Sequence, residues 1–186
     1  FVFLGIGILI FFILNICIGS VSISLPDILG TVTGQGNNET IARILWDIRL
    51  PRIMAVIILG GALSLAGYLL QTFFHNPIAG PFVLGISSGA KMVVALIMVF
   101  LMGKSIRVSS TDMIMAAFAG AMMSMGFVLL LSRRVKGMSM LVVSGVMIGY
   151  ICSAITELVV TFADDADIVN LHNWSRGSFS GMTWDN

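Results

Sequence analysis

Few residues of this chain are equipped for chemistry, and they are scattered. Glu157 is the one acidic residue clearly inside an apolar run. A carboxylate at membrane depth is costly, which makes it a functional candidate by default. It lies within two turns of the polar run 163–167 (ADDAD), so a wet or partnered helix end explains it equally well. His75 and His172 lack companion ligands, and His75 beside a turn reads as an interfacial polar residue. Gln71 reads as an interhelical hydrogen bonder ahead of a pathway residue. Cys17 and Cys152 both fall inside apolar runs and read as small core residues rather than a disulfide. Arg49 and Arg52 hold their charge at any working pH and can grip a carboxylate bidentately. On composition alone they are interfacial anchors of a helix. There is no HExxH, no carboxylate pair within one apolar run, no nucleophile–His pairing at readable spacing and no GxxxxGK(S/T) phosphate loop. The residues therefore point away from an enzyme and away from ATP chemistry within this chain.

The elements that must position these groups are apolar and long. Of 186 residues 58% are hydrophobic and only 10% charged, with a mean hydropathy of +1.03. Soluble domains carry about a quarter charged residues. Five apolar blocks approach the roughly 20 residues that a helix needs to cross a bilayer: 1–19, 53–74, 82–102, 113–132 and 138–162. They predict an all-α, polytopic transmembrane bundle with five membrane helices. The first block has no preceding basic segment and no clear cleavage site, so it does not read as a signal peptide. The net charge of +1, without a basic stripe carrying interleaved aromatics, gives no nucleic-acid partner.

Between the first two blocks, SVSISLPDIL predicts a short interfacial helix after Pro26, and Thr40 is placed to cap a helix through Trp46. Trp46 suits a membrane interface. The second membrane helix is placed after Arg49-Leu50-Pro51-Arg52. Its stretch GGALSLAG has small residues four apart, which predicts close helix packing in the middle of a bundle. The short link from His75 to Pro81 predicts that helices two and three are antiparallel neighbours, with Pro77 ending one and Pro81 in the first turn of the next. Helix three opens with Gly85, Ser87, Ser88, Gly89 and Ala90, which either pack tightly or line a wet cavity.

Taken in order, RLPR (49–52), GGALSLAGYLLQ (60–71), NPIAGPFVLGISSGA (76–90), VVSGVMIGYICSAIT (142–156) and WSRGS (174–178) form a series. The series resembles the permeases of ABC importers for iron–siderophore, haem and cobalamin, often called FecCD-type. The resemblance runs from about Ser20 to Trp184. It implies a type II ABC importer permease fold, with residues 1–186 as one transmembrane permease domain, the N-terminal half of a longer subunit. It implies a multi-pass protein in the plasma or inner membrane of a bacterium or archaeon. The partners it implies are an ABC ATPase subunit, an extracytoplasmic substrate-binding protein, a second permease copy or homologue, and the lipid bilayer. No cofactor is implied.

Residue roles follow from the same resemblance. Arg49 and Arg52 would receive carboxylates of the binding protein on the outer face. Gln71, Asn76, Pro77, Gly85, Ser87, Ser88 and Gly89 would lie along the translocation pathway. Met138 and Ser139 would stand at a cytoplasmic gate, and residues 174–181 would form a re-entrant or short helical piece. Iron–siderophore is the expected substrate, with haem or cobalamin as the alternative and an ion-coupled secondary transporter as the other class. The implied orientation puts Arg133, Arg134 and Lys136 inside, and Arg43, Arg49, Arg52, Lys104, Arg107 and Arg176 outside. Counting basic residues alone favours the reverse orientation.

Overall fold

The computed structural model describes residues 1–34, 38–101, 109–135 and 137–184. Lys104, Arg107 and Lys136 of the charge count lie outside them. The described chain is helical: α1 (Val2–Cys17), α2 (Leu25–Val32), α3 (Glu39–Arg43), a π-turn (Ile44–Arg49), α4 (Leu50–Phe74), α5 (Ile86–Leu101), α6 (Ser110–Ser132), α7 (Met138–Val160) and α8 (Asp165–Arg176). Each of the five apolar blocks thus contains a helix. Three stretches are long and apolar enough to span, namely Glu39–Phe74, α6 and α7. The apolar helices α1 and α5 have 16 residues each, about 24 Å, against a hydrocarbon core of about 30 Å.

The chain forms two compact units, one of residues 1–62 with 178–186 and one of residues 63–177. In the first, Ile23, Ile28 and Leu45 make a small core, with Ile16, Cys17, Ile41 and Ile44 packed against it. Helix α2 forms as expected, with Pro26 in its first turn and the Ser24 hydroxyl accepting from the Asp27 N–H. The next cap differs from the expectation. Asn38, not Thr40, closes the start of α3, its side-chain oxygen accepting from the Thr40 N–H at 3.1 Å and the Ile41 N–H at 3.4 Å.

Pro51 also acts differently. In a regular α-helix its ring would collide with the Asp47 carbonyl, and it has no N–H to donate there. The chain widens just before it, with the Leu50 N–H bonded to the Leu45 carbonyl in the longer step of a π-turn. The helix is therefore not restarted at RLPR. It runs unbroken from Glu39 to Phe74, 36 residues or about 54 Å, more than the roughly 40–45 Å of a bilayer with its headgroups.

In the second unit α5 packs against α6, α7 and α8, and α6 and α7 also meet. Phe74, Ala79, Leu84, Val128, Leu141 and Val142 form one part of its core. Val94, Ala95, Met98, Ala116, Val159 and Leu171 form the other. Helix α4 joins through Leu70 and Phe74 at its last turn, while Leu63, Leu65, Leu69 and Phe73 stay exposed. Within this unit the end of α4 and the start of α5 share a core through Leu70, Phe74 and Ile86, with turns in the chain between them up to Gly85. Pro81 stands in those turns rather than in the helix. A Cβ on Gly60, Gly61 or Gly67 would meet nothing within 4 Å. The small-residue face of α4, expected at the centre of a bundle, is uncovered among the described residues.

Candidate functional site

The two arginines of RLPR do different things. Arg49 is the last residue of the π-turn and is 7% exposed. Its Nη1 donates to the Ile16 carbonyl and its Nη2 to the Val21 carbonyl. Ile16 lies in the last turn of α1, whose carbonyls have no partners within the helix, and a cation there also suits the helix dipole. Gly19 lets the guanidinium in, since a Cβ there would stand 2.9 Å from Nη2. Arg52, one turn further on, is half-buried. Its Nη2 donates to the Ser180 carbonyl, and its Nε is buried without a partner. Nearby in the same unit the Trp184 indole donates to the Trp46 carbonyl at 2.8 Å. Neither arginine is ion-paired among the described residues. Both line a cavity of about 700 Å³ between α1 and the first turns of α4.

At the other end of α4 the turn residues are occupied with the turn. His75 has φ +48°, in the left-handed region. Its N–H bonds to the Thr72 carbonyl, and the Asn76 N–H reaches the Gln71 carbonyl. These two bonds are a Schellman cap, in which His75 stands where glycine is usual. The Asn76 side chain accepts from the Ile78 N–H at 3.0 Å, bridging Pro77. Gln71 and Pro77 are exposed.

The pathway candidates that follow divide by burial. Gly85 and Gly89 are buried, Ser87 is exposed and Ser88 half-buried. Gly85 has φ +73°, and a Cβ on it would lie 2.7 Å from the Gly149 nitrogen and 2.8 Å from the Gly145 carbonyl. A Cβ on Gly89 would lie 2.6 Å from the Gly120 carbonyl. The Ser124 hydroxyl, 1% exposed, donates to the Gly85 carbonyl at 2.9 Å. Gly85 and Gly89 are therefore where the start of α5 touches α6 and α7 backbone to backbone. Met138 and Ser139 open α7 and are both exposed.

The family model described as the FecCD transport family matches residues 7–186. The chain belongs to the FecCD transport family. It is 35% identical over 181 residues to the vitamin B12 import system permease protein BtuC of Shigella boydii serotype 18, covering 97% of this chain and 52% of that protein. It is 39% identical over 140 residues to BtuC of Klebsiella pneumoniae, covering 75% of this chain and 41% of that one. The chain spans about half the length of the curated relatives it matches. A solved ABC transporter of the metal-chelate type, in an inward-facing conformation, superposes with a TM-score of 0.76 at 23% identity. That overlap covers 96% of this chain and 53% of the other, and it supports the fold. This FecCD-family chain is thus an all-α membrane protein.

Four residues that hold the second unit together, Gly120, Ser124, Gly145 and Gly149, lie in stretches that stand out in the sequence for small residues or motif, AAFAGAMMS (116–124) and VVSGVMIGYICSAIT (142–156), without any contact being assigned to them. The signal was present. Gly85/Gly89, Gly120/Ser124 and Gly145/Gly149 are all small pairs four apart, the spacing that stacks residues on one helix face. The expected short piece at 174–181 also shifts. Helix α8 ends at Arg176, with Gly177 at φ +70°. Glu157 is exposed on α7, and Cys152 is buried there.

Proposed function

We propose that this chain is part of the membrane permease subunit of an ABC importer, and that residues 1–186 belong to one transmembrane permease domain. A separate ATPase subunit supplies the energy, an extracytoplasmic binding protein delivers the substrate, and a second permease copy or homologue completes the pathway. The observation that carries this reading is the unbroken helix Glu39–Phe74. It bears RLPR toward one end and runs into the Asn76–Pro81 turn at the other, so one continuous helix links the two expected faces of a transporter.

The substrate is a bulky metal chelate. The named relatives are vitamin B12 permeases, which puts cobalamin ahead of the iron–siderophore expected from the family as a whole. Docking falls chiefly on Arg52, the more exposed of the two arginines. Arg49 sets the position of that surface through α1. Ser87 and Ser88 are the pathway candidates with hydroxyls at hand, while Gly85 and Gly89 beside them hold the start of α5 against its neighbours. Met138 and Ser139 are the gate candidates at the entry to α7.

Uptake by cells expressing the full-length permease with its ATPase and binding protein tests this, using labelled cobalamin, iron–siderophore and haem in parallel. ATP-dependent cobalamin uptake, reduced at least tenfold by Arg52→Glu, is the expected result. Uptake of iron–siderophore alone replaces the substrate. No ATP-dependent uptake of any chelate by an assembled complex overturns the reading.

A further inference from the structure

The cavity between α1 and α4 is amphipathic from end to end. Its walls are Ile8, Phe11 and Phe12 on α1 and Ile53, Val56 and Ile57 on α4, and Arg49, Arg52 and Asn15 also line it. At about 700 Å³ it falls within the roughly 300–1,000 Å³ usual for small-molecule sites. Ile8, Phe11, Val56 and Ile57 are exposed, so the apolar walls are open to whatever surrounds the helices. Among the described residues, two guanidiniums line this apolar space without a carboxylate. Arg49 is satisfied by carbonyls, but Arg52 keeps a buried, unused N–H. A desolvated cation without a counter-ion is costly. Trp46 and Trp184, joined by their hydrogen bond in the same unit, are the residues that gather at headgroup level.

We infer that this cavity holds one anionic phospholipid, its phosphodiester paired with the Arg52 guanidinium and an acyl chain lying along the α1 and α4 walls. Charge complementarity selects the head, and the apolar walls select the chain. A zwitterionic lipid offers the same phosphate but brings a cation of its own next to the two arginines. The lipid would fill the space between α1 and the long helix and so brace the end of α4 that carries RLPR. This does not depend on the transported substrate, and it is measured without the binding protein.

The test uses the full-length permease, purified, delipidated and titrated with dioleoyl-phosphatidylglycerol, dioleoyl-phosphatidylcholine or inorganic phosphate. Native mass spectrometry counts bound lipid, and thermal unfolding gives the affinity. One phosphatidylglycerol per permease is expected, bound at least tenfold more tightly than phosphatidylcholine. Arg52→Gln should weaken it about tenfold, the loss of one charge-assisted hydrogen bond, and Arg52→Lys less. Val56→Trp fills the apolar wall without touching a guanidinium and should also weaken it; this variant decides if Arg52→Gln does not fold. Equal binding of the two lipids, or phosphatidylglycerol binding unchanged in both Arg52→Gln and Val56→Trp, overturns the inference. Full displacement by inorganic phosphate overturns it too, as would a permease that retains no lipid because protein fills the cavity.

Discussion

Adding one methyl group at Gly120 should separate α5 from α6. A Cβ there would collide with the Gly89 carbonyl oxygen, and would stand 2.8 Å from the Gly89 carbonyl carbon and 2.9 Å from Val93 Cγ2. Ordinary contact begins near 3.4 Å, so the two backbones must part by roughly 1 Å, and the nearest obstacle is main chain that cannot swing aside. Overpacking of this kind costs about 1–3 kcal/mol. Better helix propensity returns up to about 1 kcal/mol of it. Parting the helices also strains the neighbouring Ser124–Gly85 hydrogen bond of 2.9 Å. A net loss of about 2 kcal/mol corresponds to a melting temperature lower by a few °C in the full-length protein. Gly126, on the same helix, is the control, because a Cβ there meets nothing within 4 Å. Gly126→Ala should leave the melting temperature unchanged or raise it slightly. Heating the purified full-length protein and following the folded fraction by size-exclusion chromatography measures both. Equal shifts for the two variants would refute the reasoning.

His75→Gly should stabilise the protein by about 1 kcal/mol, because only glycine adopts the left-handed cap without a Cβ penalty; the same thermal measurement with His75→Val should show a loss. Ser124→Ala removes one of two donors to the Gly85 carbonyl, which keeps the Gly89 N–H at 2.9 Å, and should cost about 0.5–1.5 kcal/mol, read from the melting temperature; no change would mean that the Ser124 bond contributes nothing net. Arg49→Ala removes two charged hydrogen bonds, so amide exchange over residues 16–23 should quicken at least tenfold, the kinetic equivalent of about 1.5 kcal/mol. Exchange spread evenly along the chain instead would argue against a local clamp.

The helical blocks were legible because spans announce themselves by unbroken apolar length. The NPIAGP motif also lies where the long helix ends, whereas RLPR lies within that helix. What the sequence hid was the route of the backbone between those landmarks. The sequence places the helix after RLPR, and only the geometry reveals that a π-turn lets it run through Pro51. Thr40 and Asn38 are both good caps, and hydrogen bonding chose the earlier one. Small residues announced close packing, but not which helices would meet. Gly85 and Gly89 pack against α6 and α7, whereas the more conspicuous Gly60 and Gly61 are left bare among the described residues. The arginines looked alike in the motif, and their separation into a buried clamp and a half-buried donor depends on which carbonyls fold back toward them.

The π-turn before Pro51 also absorbs a residue. Each α-helical residue advances the chain by about 100°, and the wide turn takes up one residue more than regular winding would, so the segments on either side keep the phase of a regular helix. Deleting a single residue between Trp46 and Arg49 would restore ordinary winding and leave Ile41 and Leu45 at nearly the same azimuth, still beside Ile23 and Ile28. What the deletion removes is the widened step itself, and the Pro51 ring would then meet a carbonyl one turn back. Length in this turn is therefore tied to the proline: the extra residue is dispensable only where Pro51 is replaced as well.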